Sequence, residues 1–248
     1  MTDGDTKIDR SARHLALPQI GAAGQARIEA ARVLLIGVGG IGCAAASYLA
    51  SSGVGQLLLC DFDTVDETNL GRQTLYGPAD IGRLKASCAA TRLAAMNPDI
   101  QLTEIPNRLS DHALTEAVRQ ADVVLDGSDN FATRFQVNDA CVSQGRTLVS
   151  GSAIRFEGQL AVFGPDYEKS PCYRCLYKEA DESLDNCVGN GVFSPVPGVI
   201  GTLMAAEAMK HLVGIDDDQR MLTLYDGIAG EWRKIRLAKS DDCSACAG

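Results

Sequence analysis

Three glycines, Gly37, Gly39 and Gly42, stand in G-x-G-x-x-G register directly after the apolar run 33–36 and directly before a helix-compatible stretch. That order constrains the chain more than any other feature. A strand that must turn tightly into a helix needs residues without a Cβ at the bend, and the helix it opens presents unpaired backbone amides to whatever lies beyond the strand end. The chemistry favoured there is a phosphate on the helix N-terminus. The bland alternative is that the glycines serve only to pack a helix closely on a strand.

The same rhythm continues downstream. Apolar runs at 33–36, 57–60, 100–105, 123–125 and 147–149 alternate with helix-compatible segments at 40–52, 83–96, 111–120 and 130–144. Short fully apolar strands alternating with helices are the pattern of a parallel sheet covered on both faces. Beyond Gly151 the rhythm changes to strands at 159–163, 221–224 and 232–237, with one proline-opened helix around 197–213. The expected fold is therefore α/β, a Rossmann-like wound sheet whose parallel N-terminal strands are extended by a mixed or antiparallel C-terminal part. A single domain over residues 1–248 is expected, with a helical arm at 1–31, a nucleotide-binding half at 32–150 and a second half at 151–248.

Charge narrows the partners. The chain of 248 residues carries 23 Lys+Arg against 32 Asp+Glu, a net charge of -9, so nucleic-acid and anionic-membrane binding are disfavoured. The uncharged stretch 33–60 is long enough to suggest a membrane span, but its glycines and serines fit a buried strand, turn and helix better. Residues 1–9 are polar and contain acids, without a basic segment followed by an apolar one, so a cytoplasmic protein is expected.

Asp61 ends the second strand, where a carboxylate can accept hydrogen bonds from a ribose diol. ATP and NAD both satisfy that reading. The two differ in the cations they demand. After Asp61 come Asp63, Asn69, Arg72, Gln73 and then Lys85 at the start of the next helix, a density with no evident use in hydride transfer but suited to a leaving pyrophosphate. Asp126, Asp129 and Asn130 follow the fourth strand, and a carboxylate beside a phosphate turn is placed to hold magnesium. Alternatively, Asp129 caps the helix that begins near Asn130.

Cys172 with Cys175 and Cys243 with Cys246 form two C-x-x-C pairs. Two such pairs in a reducing compartment indicate a closed tetrahedral zinc site. A thioredoxin-like redox motif would open a helix within a βαβ unit, and neither pair is expected to do so. Cys43, Cys60, Cys88 and Cys141 lie among apolar neighbours and fit the core, whereas Cys187 lies in a polar loop where a thiol can be exposed. His14, His112 and His211 show no metal spacing and are expected on the surface.

Taken in order, these residues resemble the MoeB/ThiF/HesA group of E1-like adenylyltransferases, which use ATP to activate the C-terminal glycine of a ubiquitin-fold sulfur-carrier protein. The resemblance covers nearly the whole chain. It rests on Arg13, the glycine turn, Asp61 and Asp63, Asn69 with Arg72 and Gln73, Lys85, the residues from Asp126 to Arg134, both cysteine pairs, Cys187, and the helix that contains Gly198 and Lys210. The resemblance implies that Asp61 holds the ATP ribose, that Asn69, Arg72 and Lys85 engage the phosphates, and that Asp129 binds magnesium. Gly37, Gly39, Gly40, Gly42, Asp63, Thr68, Gln73 and Asn130 complete the implied nucleotide set. Arg13 is implied to reach into the other subunit of a homodimer, and Cys187 is a candidate thiol for covalent contact with the carrier. The implied cofactors are ATP, Mg2+ and Zn2+. The implied partner is a carrier ending in Gly-Gly, with a sulfurtransferase able to act in trans. Segments 42–50, 61–65 and 150–159 look closer to molybdopterin-synthase adenylyltransferases, with a MoaD-like carrier, than to enzymes that adenylate a ThiS-like carrier for thiamine. An NAD-dependent oxidoreductase and a non-catalytic E1-like binding subunit remain the competing readings. Neither has a use for Arg13, Arg72, Lys85 and Asp129 together.

Overall fold

A computed structural model describes residues 10–178, 191–215 and 220–247. Its strands are β1 (Arg32–Ile36), β2 (Gln56–Cys60), β3 (Gln101–Ile105), β4 (Val123–Asp126), β5 (Thr147–Ile154), β6 (Glu157–Phe163), β7 (Met221–Asp226) and β8 (Glu231–Arg236). They form one sheet in the order β3-β2-β1-β4-β5-β6-β7-β8. The first five are parallel and the last three join antiparallel. The strand order reverses between β1 and β4, so the glycine turn after β1 and the loop after β4 open side by side. Ligands of wound sheets bind at such a reversal.

Helices α3 (Gly40–Ser51), α4 (Lys85–Met96), α5 (Asp111–Gln120) and α6 (Phe131–Gln144) make the crossovers, preceded by α1 (Ala12–Leu15) and α2 (Gly21–Ala30). Alternate residues of each central strand point to opposite faces. Val33, Leu35, Leu57, Leu59, Val123 and Leu125 pack with α3 and α4 and with Ile200 and Met204 of the long helix Pro195–Val213. That helix is numbered α8, after the short helix α7 (Tyr173–Leu176). Leu34, Ile36, Leu58, Val124 and Leu148 face α5, α6 and the cysteine-bearing segments instead. Close approach of α8 to α3 depends on Gly201, where a Cβ would overlap the Ile41 carbonyl oxygen.

Three sequence expectations are adjusted. Strand β5 runs five residues past the apolar run at 147–149, because Ser150, Gly151 and Ser152 are neutral in hydropathy yet pair with β6. His14 is half-buried, with Nδ1 3.0 Å from Oε1 of the buried Gln25, and His211 is half-buried on α8. Cys172 stands at the N-cap of α7, so the first cysteine pair does open a helix. That helix has four residues and lies outside any βαβ unit. Among the described residues, no helix is long and apolar enough to cross a membrane.

Candidate active site

Gly37 adopts φ +83°, open to residues lacking a Cβ, and a Cβ on Gly42 would overlap the Gly37 carbonyl oxygen. The turn is therefore built by two glycines for two different reasons. Gly39 occupies the N-cap of α3 without a side-chain cap, so the first amides of that helix remain open toward the cleft.

Asp61 braces this turn from the neighbouring strand. Its Oδ2 accepts from the Val38 amide at 2.7 Å and its Oδ1 from the Asp63 amide at 2.9 Å. Burial pushes its carboxyl up, opposed by Lys85 and by the two amides. Lys85 sits in the first turn of α4, only 6% exposed, with Nζ 3.0 Å from Asp63 Oδ2. A lysine there opposes the helix dipole, and no acidic residue shares the turn. The combination makes a cationic spot that an anion would complete.

Arg72 is half-buried, donates from Nη1 to the Thr68 carbonyl at 2.9 Å, and lines the same cleft. Gln73 is 3% exposed, and its Oε1 has no partner among the described residues. Such an orphaned buried acceptor costs about 1–3 kcal/mol unless a ligand or water meets it. Across the cleft, the Gly127 amide donates to the Ile36 carbonyl at 2.9 Å, tying the loop after β4 to β1. Asn130, not Asp129, caps α6, accepting from the Thr133 amide at 2.9 Å. Asp129 is exposed, and Asn130 Nδ2 lies 3.5 Å from its Oδ1. The alternative that Asp129 serves as a cap is thereby removed.

The cleft thus brings together Gly37, Gly39, Gly40, Asp61, Asp63, Arg72, Gln73, Lys85, Asp129 and Asn130. Thr68 and Asn69 are not part of the cleft lining, although the Thr68 carbonyl holds Arg72. They form a short 3-10 turn at Glu67–Asn69, where Asp66 accepts from the Thr68 amide and Asn69 Oδ1 accepts from the Asp66 amide at 3.2 Å. Arg13 is exposed on α1, outside the cleft lining. Cys187 lies outside the described residues.

Two cleft cations are given no role by the sequence reading, although Arg134 closes the stretch from Asp126 that carries the resemblance. Arg134 on α6 donates from Nε and Nη2 to the Ser128 carbonyl at 3.2 and 2.7 Å. Arg108 lies 4.9 Å from the centre of the Phe62 ring, and both arginines line the cleft. Arg108 follows β3 as Asp61 follows β2, so the rule that strand C-termini carry the ligand groups could have found it.

On the α6 side of the sheet, the Sγ atoms of Cys172, Cys175, Cys243 and Cys246 lie within 4.8 Å of one another. The Cys172–Cys243 and Cys175–Cys246 separations are 3.6 and 3.5 Å. Metal–sulfur bonds of about 2.3 Å in a tetrahedron give sulfur–sulfur edges of about 3.8 Å, so the four thiols fit one ion. The Ser240 amide points at Cys175 Sγ at 3.5 Å, and Asn138 Nδ2 points at Cys172 Sγ at 3.7 Å. Cys43, Cys60, Cys88 and Cys141 are buried. Burial pushes the Cys43 thiol up to about 12 and that of Cys60 up to about 11, which makes both inert.

Comparison with known proteins gives a consistent picture. The ThiF family model matches residues 11–245. The chain is 45% identical over 244 residues to the sulfur carrier protein ThiS adenylyltransferase of Escherichia coli strain K12, covering 98% of this chain and 97% of that protein. It is 42% identical over 243 residues to the molybdopterin-synthase adenylyltransferase of Salmonella typhimurium, again covering 98% and 97%. Among solved structures, Escherichia coli MccB with ATP superposes with a TM-score of 0.79 at 25% identity, covering 91% of this chain and 70% of MccB.

Proposed function

The chain belongs to the ThiF family of E1-like adenylyltransferases, and from that premise we propose that it uses ATP to adenylate the C-terminal glycine of a ubiquitin-fold sulfur-carrier protein. The observation that carries this reading is the cleft itself: a buried lysine, a half-buried arginine and an orphaned glutamine acceptor around the glycine turn, facing one open carboxylate. A dinucleotide needs less charge than this. A triphosphate losing pyrophosphate needs all of it.

In the proposed arrangement the free lone pairs of Asp61 receive the ribose hydroxyls, while the open amides of α3 meet the phosphates. Lys85 and Arg72 balance the β- and γ-phosphates as charge moves onto the departing pyrophosphate. Asp129 holds magnesium, which supplies further positive charge on the phosphate oxygens when bound. The carrier's terminal carboxylate attacks the α-phosphorus, the bond to the bridging oxygen of pyrophosphate breaks, and an acyl-adenylate forms. No side chain acts as nucleophile, so the enzyme contributes positioning and electrostatics. Cys172, Cys175, Cys243 and Cys246 hold zinc as a structural closure. Arg13 completes the neighbouring subunit's site in a homodimer, and Cys187 is a candidate thiol for covalent contact with the carrier, with a sulfurtransferase acting in trans. The proposed setting is cytoplasmic.

The primary carrier reading is MoaD-like, for molybdopterin synthesis, on the segment resemblances at 42–50, 61–65 and 150–159. The 45% identity to a ThiS adenylyltransferase supports the thiamine-side carrier as the second reading. Carrier-dependent exchange of labelled pyrophosphate into ATP, run with each ubiquitin-fold protein ending in Gly-Gly, tests both. Exchange is expected with one such carrier and not with its version lacking the last glycine. Exchange independent of any carrier would refute the reading.

A further inference from the structure

The backbone of Ser128, next to Asp129, is gripped from both sides. Its amide donates to Asp126 Oδ1 at 2.9 Å, and its carbonyl accepts both Arg134 donors. Asp126 is 1% exposed and interacts electrostatically with the Arg134 guanidinium. Arg134 belongs to the first turn of α6. One turn further along the same helix, fully buried Asn138 accepts the Tyr173 amide at 2.8 Å through Oδ1 and points Nδ2 at Cys172 Sγ at 3.7 Å. The next residue, Asp139, takes two hydrogen bonds from Arg174, both at 2.7 Å. One uninterrupted helix therefore holds the Asp129 loop at its start and the first cysteine pair at its middle. Between the two grips, Phe131 and Phe135 pack against Tyr177 and Tyr173 respectively, filling the space along that helix face.

We propose that α6 couples the four-thiolate cluster to the nucleotide cleft, with Arg134 as the positioning residue for Asp129 and Asn138 as the link to Cys172. The proposal rests on the reading of the cleft as an ATP site. A helix fixed at both points resists movement at either, so metal in the cluster tightens nucleotide binding, and by linkage bound nucleotide tightens metal binding by the same factor, read as slower metal loss at an unchanged rate of association. A zinc site that serves stability alone has no reason to sense the cleft.

The test uses the intact zinc-loaded protein under native conditions. Zinc release to a chromogenic chelator is timed with and without saturating ATP and Mg2+, with ATP retention measured in parallel by equilibrium dialysis. Release is expected to slow about fivefold or more when ATP is bound. Asn138→Ala, which keeps all four thiolates, is expected to retain zinc stoichiometry, to bind ATP more weakly by the factor of the lost coupling, and to release zinc at a rate that ATP no longer slows. Arg134→Lys keeps the charge but loses the paired donors, and is expected to weaken ATP binding about tenfold at unchanged zinc content, within the usual range of coupling. ATP that binds the unmodified protein without slowing release overturns the coupling alone. ATP that is not retained overturns the reading of the cleft and the coupling with it. The measurement on the unmodified protein decides the matter even where a variant fails to fold.

Discussion

The Asp61 carboxylate accepts the backbone amide of Val38 at 2.7 Å, so the middle of the glycine turn is fastened to the acid that ends the next strand over. Its second oxygen accepts the Asp63 amide, so both oxygens are required as acceptors. Asp61→Asn is nearly isosteric, yet it turns an NH2 group toward an N–H group. A loss of about 1–3 kcal/mol in unfolding free energy is expected, read by urea denaturation. An unchanged midpoint would show that the carboxylate does not brace the turn.

Lys85 offers the opposite balance. Its ammonium is buried while its partner Asp63 is half-exposed, so Lys85→Met should keep the packing and hold or raise the thermal midpoint. The same change is expected to lower carrier-dependent pyrophosphate exchange by about 10²–10³, as removal of a group stabilising developing charge does. Parallel losses of midpoint and rate would instead assign Lys85 a structural role.

Asp129→Ala removes an exposed carboxylate held among the described residues by a long contact of 3.5 Å from Asn130. Stability should change by no more than about 0.5 kcal/mol, as for ordinary surface substitutions, while magnesium-dependent adenylation disappears. Retained turnover with magnesium ATP would rule out its proposed role.

Asp126 gives a pH test. Burial raises its carboxyl above the usual value, with Arg134 and the Ser128 hydrogen bonds opposing. A raised folded-state value means that the contribution of this group to stability is fully present below the unfolded value and is lost as pH rises through the folded one. The stability of Asp126→Asn relative to the parent should therefore improve from about pH 4 to pH 8. Thermal midpoints of both proteins across that range check it, and a difference that falls with rising pH would contradict the sign.

Gly42 and Gly71 make a contrasting pair. Replacing a helical glycine by alanine ordinarily gains up to about 1 kcal/mol. At Gly42 the new methyl overlaps the Gly37 carbonyl, so a loss of about 1–3 kcal/mol is expected from overpacking. Gly71 has open space around it, and Gly71→Ala should be close to neutral. Calorimetry on both separates close packing from a general intolerance of alanine in this region.

The central parallel strands were legible because burial on both faces writes them as unbroken apolar runs, as in Val33, Leu34 and Leu35, whereas the edge strand β3, Gln101–Ile105, is mostly exposed. Most of the cleft was legible for a related reason: Asp61 and Lys85 lie at element ends, where sequence position fixes spatial position. The end of β5 was not, since Ser150, Gly151 and Ser152 are held by pairing with β6 and carry no hydropathy signal. The role of Arg134 was not legible because it comes from a carbonyl six residues back that its helix happens to face. Cys172 at the head of a short helix was missed because a single turn leaves no periodicity.

The position of α8 sets an order of events during synthesis. Helix α8 packs on β4, β5 and β6, with Ile200 and Met204 against Gly151 and Ile200 against Gly158, and Cys243 and Cys246 close the cluster with Cys172 and Cys175. Strands β4, β5 and β6 therefore leave the ribosome before their cover exists. A nascent chain paused ahead of residue 195 would display a broad greasy surface, and holdase chaperones would find their substrate in that interval.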